Sequence, residues 1–235
     1  MAGALFCALA AACSGGAGED RALPAQLDAP AAEAGLAPAA AVLVPADAPT
    51  VVFLADSIGA GLHLSLDQAF PAVLQRRLAA EGLPFHLVNA SQSGRTSAGG
   101  ATALAWTLRS KPDLLVIALG GNDGLRGTPV EEVERNLRRM LTDARDAGVR
   151  VLLLGMRLPA NYGDYGERFD ALYPALAAEL GVDLVPYYME GVGGVPELNL
   201  EDGLHPSPAG HERLADNVAP ALRKALSELQ GAPAR

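Results

Sequence analysis

From residue 51 onward, short runs of aliphatic residues alternate with longer stretches whose apolar positions recur at helical spacing. The runs at 51–55, 85–89, 114–119, 149–156 and 182–185 are apolar for most of their length, the pattern of strands buried on both faces. Helices are predicted at 67–80, 98–109, 129–147, 166–180 and 208–229. The third has the clearest boundaries. Thr128 is placed to cap it, Pro129 takes the first helical position, Glu131 and Glu132 face the positive end of the dipole, and Gly148 stops it. Strand and helix alternating in this way predict a single α/β domain over residues 51–229. Its architecture would be three-layer α/β/α around one doubly wound, parallel, five-stranded sheet.

Upstream the texture differs. Residues 1–12, MAGALFCALAAA, are apolar and small, too few to span a membrane, and end in the alanines that a signal peptidase accepts. They read as a signal peptide. The stretch LAAAC then resembles the lipobox of bacterial lipoproteins, with Ala10 where leucine is more usual, and the resemblance implies lipidation of Cys13. Ordinary cleavage after the alanines is the alternative. Either way the chain is expected to be exported, as a periplasmic protein or a membrane-anchored lipoprotein of a bacterial envelope. Residues 13–50 are rich in Ala, Pro and Gly without a sustained period, and read as a tether; residues 230–235 read as a disordered tail.

Composition narrows the function classes. Half of the 235 residues are hydrophobic and 19% are charged, which suits a folded globular protein. A net charge of -9 with no Lys/Arg cluster leaves no electrostatic footprint for nucleic acid, and a membrane is expected as a partner only through the N-terminal lipid. Both cysteines lie in the first thirteen residues, so the globular part holds no disulfide, thiolate metal site or thiol nucleophile.

In a doubly wound sheet the functional groups sit beyond the carboxyl ends of the strands. Those ends read ADSIGAG, NASQSG, GGNDG and RLPANYG, followed later by DGLHPS. Among four histidines, His86 falls inside a strand pattern and His211 on what reads as a solvated helix face. His63 can border the cleft but has no acid close in sequence. His205 follows Asp202 by three residues across Gly203, and Pro206 blocks helix behind it, so the carboxylate can reach one ring nitrogen while the other faces the cleft. A surface turn capping the last helix would use the same residue types.

Serine is the remaining candidate nucleophile. Ser57 directly follows the first strand and precedes Gly59 and Gly61, where a tight turn can present its hydroxyl; Ser91, Ser93 and Ser97 compete. Gly94 offers a backbone N–H and Asn122 a side-chain amide, the donors a tetrahedral oxyanion requires, although both sit in segments that turn chemistry alone would explain. Asp56 is a rival acid. Adjacent side chains diverge in extended backbone, so it is expected to brace the turn instead.

Ser57, Gly94, Asn122 and His205, in ADSIGAG, NASQSG, GGNDG and DGLHP, resemble the four signature residues of the SGNH (GDSL) hydrolases in order. LGGNDGLRG and RLPANYG are similar to the bacterial arylesterase, thioesterase I and lysophospholipase L1 branch. The resemblance covers residues 51–222 and implies the flavodoxin-like SGNH fold. It further implies Ser57 as nucleophile, Asp202 and His205 completing the triad, and an oxyanion hole of Ser57, Gly94 and Asn122, with no cofactor or metal. The substrate would be a small or lipid-like carboxylic ester or thioester; the sequence itself offers Leu125, Leu158, Pro159 and Tyr162 to line its cleft, residues that loop packing would equally explain. Ala55 stands where the family carries glycine, which supports a catalytically silent envelope-anchored binding protein as one alternative. A carbohydrate O-acetylesterase is another. A nucleotide binder of the same fold is disfavoured, since neither GxxxxGK nor a strand-linked GxGxxG is present.

Overall fold

The computed structural model describes residues 42–231. The residues read as a signal peptide, Cys13 with the lipidation expected there, and most of the stretch read as a tether lie outside the described residues, as do residues 232–235. Five parallel strands, β1 (Thr50–Ala55), β2 (His86–Asn89), β3 (Leu114–Ala118), β4 (Arg150–Leu154) and β5 (Asp183–Val185), form one sheet in the order β2-β1-β3-β4-β5. The chain moves one way from β1 to β2 and the other way from β1 to β3. The crevice of such a sheet therefore opens at the carboxyl ends of β1 and β3.

Burial follows from the strand sequences. Every residue of β3 and all of β1 after Thr50 are buried, because helices cover both faces and each aliphatic side chain removed from water contributes about 1.5–3 kcal/mol. One layer is α2 (Phe70–Ala80) packed against α7 (Pro208–Gly231), and the other is the row α3 (Ser97–Thr107), α5 (Val130–Asp146) and α6 (Gly163–Leu180). Phe53 of β1 meets Phe70 of α2 edge-to-face at 5.7 Å. Two short helices, α1 (Ser57–Ala60) and α4 (Gly121–Leu125), sit on the strand ends themselves.

Several boundaries differ from the sequence reading for identifiable reasons. The expected helix 67–80 is split: Leu66–Gln68 make a 3₁₀ turn, Ala69 is extended, and α2 starts at Phe70. Pro71 has no N–H to offer the carbonyl of residue 67, and its ring would clash there, so a continuous helix is forbidden. Thr128 does not cap α5. Its N–H goes to the Asp123 carbonyl and its own carbonyl accepts from Tyr165 Oη at 2.7 Å, leaving Pro129 as the capping residue through its backbone. Gln230 and Gly231, read as tail, continue α7. Among the described residues no helix is long and apolar enough to cross a membrane.

Candidate active site

The turn after β1 is built to expose one hydroxyl. Asp56 caps α1 by accepting the Ile58 N–H on Oδ1 at 3.0 Å, and Gly61, left-handed at φ +66, closes it. Ser57 thus occupies the first helical position, where its own N–H has no acceptor within the helix. Asp56 is 3% exposed, and this burial pushes its carboxyl up to about 6, with the Ile58 bond and the field of His205 pulling the other way. It braces the turn, as expected. Ala55 fits for a local reason: a Cβ built on Gly59 would stand 2.5 Å from the Ala55 methyl, so the absence of a side chain at 59 makes room for the one at 55.

On the far side, residues 199–207 fold into a small loop pinned at its base. Asn199 bridges Pro206 in antiparallel fashion, the Leu200 N–H donates to the His205 carbonyl at 2.7 Å, and Asn199 Nδ2 donates to the carbonyls of Val192 and Val195. Within the loop Asp202 Oδ1 accepts the N–H groups of Leu204 and His205, while Oδ2 lies 2.6 Å from His205 Nδ1. The His205 backbone N–H, then its ring and the Leu204 N–H, hold the Asp202 carboxyl far below the usual carboxylate range. The other ring nitrogen, Nε2, is 3.0 Å from Ser57 Oγ. Ser57, His205 and Asp202, from opposite ends of the domain sequence, form one hydrogen-bonded chain.

The two other signature positions are tied to each other. Asn122 follows β3 on α4, and its Nδ2 donates to the Arg95 carbonyl at 3.1 Å. Gly94, at φ +75, lies on the same loop, with its carbonyl 3.5 Å from Arg126 Nη2. Gly120, at φ +116, sets the direction of α4. No side chain fits there, since a Cβ would lie 2.1 Å from the Tyr173 hydroxyl, itself donating to the Leu119 carbonyl.

A cavity of about 490 Å³ opens beside this chain, lined by Ser57, His205 and Asn122 and by apolar groups that include Leu125, Met156, Leu158, Pro159 and Met189. Gly155 has no room for a side chain, since any Cβ there would meet the Pro186 carbonyl at 2.2 Å, and residues on both sides of this close approach, 156–159 with Tyr187 and Met189, line the cavity. Three of the four expected lining residues are found there. Tyr162 is not; the 3₁₀ turn Ala160–Tyr162 carries its ring onto Tyr165 and its hydroxyl to 3.5 Å from the Leu125 carbonyl.

Ser97, Ser91 and His211 sit in the packing around the site. Ser97 is fully buried, donating its hydroxyl and N–H to Asp123 at 2.7 Å each and accepting from Asn136. Ser91 packs its hydroxyl against Gly59. His211, read as a solvated helix residue, is buried instead. Its Nδ1 accepts the Phe70 N–H at 3.0 Å, its ring stacks on Phe70, and burial pushes its pKa down to about 4. The misreading came from its neighbour Glu212, which does face outward and pairs with Arg77. Asp123 and Asn199 went unnoticed in the sequence. The only signal was an Asp and an Asn in turn-like segments, and their partners lie too far along the chain to suggest a network. Among the described residues, no group of three or more His, Cys, Asp or Glu side chains converges to hold a metal ion.

Residues 53–213 match the model of the GDSL-like lipase/acylhydrolase family. The chain is 49% identical over 183 residues to esterase TesA of Pseudomonas aeruginosa, covering 77% of this chain and 91% of that protein. It is 41% identical over 180 residues to thioesterase 1/protease 1/lysophospholipase L1 of Escherichia coli K12, covering 76% and 85%. A crystal structure of TesA superposes with a TM-score of 0.73 at 48% identity, covering 75% of this chain and 99% of that one. The chain belongs to the GDSL-like lipase/acylhydrolase family and, with it, to the carboxylic ester hydrolases.

Proposed function

We propose that the protein is an exported serine esterase that cleaves acyl esters and thioesters, aryl esters and lysophospholipids among them, through an acyl-Ser57 intermediate. The observation that carries this reading is the chain Asp202–His205–Ser57, with contacts of 2.6 and 3.0 Å, at the mouth of an apolar cavity. His205 Nε2 takes the Ser57 proton as Oγ attacks the carbonyl carbon, and Asp202 holds Nδ1–H and stabilises the imidazolium. The oxyanion is met by the N–H groups of Ser57 and Gly94 and by Asn122 Nδ2, each such donor being worth roughly 3 kcal/mol in the transition state. The imidazolium then protonates the departing alcohol or thiol. Water, deprotonated by the same nitrogen, releases the acid and restores Ser57.

The apolar wall favours an acyl chain over a bare acetyl group, since each buried methylene contributes about 0.8 kcal/mol. Export is supported by the apolar segment ending at Ala12, and anchoring by Cys13 behind it. The test is Ser57→Ala assayed on p-nitrophenyl esters from acetyl to octanoyl, with a fluorophosphonate probe on the parent enzyme. Hydrolysis should fall by about 10⁴-fold or more with the melting temperature unchanged, and the probe should label Ser57. Hydrolysis that persists in Ser57→Ala ends the reading, and a parent enzyme that prefers acetyl to octanoyl returns the sugar O-acetylesterase.

A further inference from the structure

His63 adopts a backbone conformation that L side chains avoid. Among the described residues only two without a glycine's freedom have positive φ, Lys111 at +50 and His63 at +68. Such a conformation persists where its surroundings over-determine it, and it collects at functional sites. Here the surroundings are the turn leaving the nucleophile helix: the Leu62 N–H donates to the Ser57 carbonyl at 3.1 Å and the Leu64 N–H to that of Gly61 at 2.9 Å. A bare surface turn would take glycine or asparagine at lower cost.

The imidazole gives the conformation a purpose. The rings of His63 and His205 meet edge-to-face, with centroids 6.3 Å apart and planes at 89°. That is the geometry in which the positive edge of one ring meets the electron-rich face of another. His63 does not line the cavity, so it reaches His205 from outside the volume assigned to substrate. Asp202 at Nδ1 and Ser57 at Nε2 hold His205 at two points. Beyond these bonds and its covalent link at Cβ, the ring keeps only the play about Cα–Cβ and Cβ–Cγ that bending of the two hydrogen bonds allows. A third contact, from a ring set perpendicular to it, limits that play.

We propose that His63 is a positioning residue for His205: its left-handed backbone delivers an aromatic ring that keeps Nε2 aimed at Ser57 Oγ. This rests on the reading of Ser57 as nucleophile and His205 as base. The experiment compares the parent with His63→Gly and His63→Asn, which suit positive φ and delete the ring, and with His63→Phe, which keeps a ring. Readouts are kcat and KM on p-nitrophenyl butyrate and the melting temperature. The glycine and asparagine variants should melt at or above the parent temperature, hold KM within about twofold and lose about tenfold in kcat, because a small misalignment of a base is felt in the chemical step. The phenylalanine variant should recover most of that kcat. Parental kcat in His63→Gly, a His63→Phe as slow as His63→Gly, or glycine and asparagine variants that both melt well below the parent would each overturn the proposal. A parent without esterase activity would instead strike at the assignment of Ser57.

Discussion

Asp56→Asn isolates a charge that the fold buries at a cost. In the folded protein burial moves this carboxyl from 3.8 to about 6, a difference of roughly 2 pKa units or about 3 kcal/mol at 1.36 kcal/mol per unit. The folded state binds the proton more tightly than the unfolded one between those values. Stability from this residue is therefore greatest below pH 3.8 and falls as pH rises, with the full penalty present above about pH 6. The substituted amide would keep an oxygen for the Ile58 N–H and carry no charge. The parent alone hides the effect, because His211, lowered from 6.5 to about 4 by burial, works the other way and loses stability as pH falls. The variant-minus-parent difference cancels His211 and every other group that does not itself interact with Asp56. Urea denaturation followed by circular dichroism, extrapolated at several pH values, should show that difference growing in favour of the variant by about 3 kcal/mol between about pH 4 and pH 7. A difference that stays flat across this range refutes the account of Asp56 as an ionised buried cap, whatever its absolute size.

The opposite slope belongs to His211. In His211→Asn, the stability that the parent loses between pH 6.5 and about 4 should be retained, on the order of 3 kcal/mol read as the change in variant-minus-parent difference; an unaltered slope would mean that the ring is not held neutral by burial. Gly120→Ala must place a methyl where the Tyr173 hydroxyl stands, at φ +116, and should cost about 3 kcal/mol or more together with most of the esterase activity, since α4 and Asn122 would be displaced. A variant with parental melting temperature and kcat would show that the strand end tolerates another path.

Much of the architecture was legible because its signals are local. Aliphatic runs such as 114–119 report a strand covered on both sides without reference to any partner, and Gly148 at φ +74 stops α5 by its own lack of a side chain. The signature residues were legible for a related reason. Each lies in a short polar segment rich in turn residues, so the sequence places it on a loop or helix start even though it says nothing of its neighbours. His211 shows where this fails. Beside Glu212 on an amphipathic helix it looked solvated, and only its packing against Phe70 of α2 reveals an acceptor for a backbone N–H. Tyr162 fails similarly, since a single 3₁₀ turn decides whether a loop side chain faces the cavity or its rim.

The sequence by itself determined the order of strands and helices, the doubly wound class and the identity of the reactive groups, because hydrophobic period, turn residues and strand-end polarity are properties of neighbouring positions. Tertiary structure alone decided which groups meet. The 3.0 Å contact of His205 with Ser57, the clamp of Asp123 on Ser97, the capacity of the cavity and the ring of His63 against His205 all join segments far apart in the chain. Such meetings depend on sheet order and loop direction, which are set by the packing of the whole domain and leave no periodic trace at the residues they join.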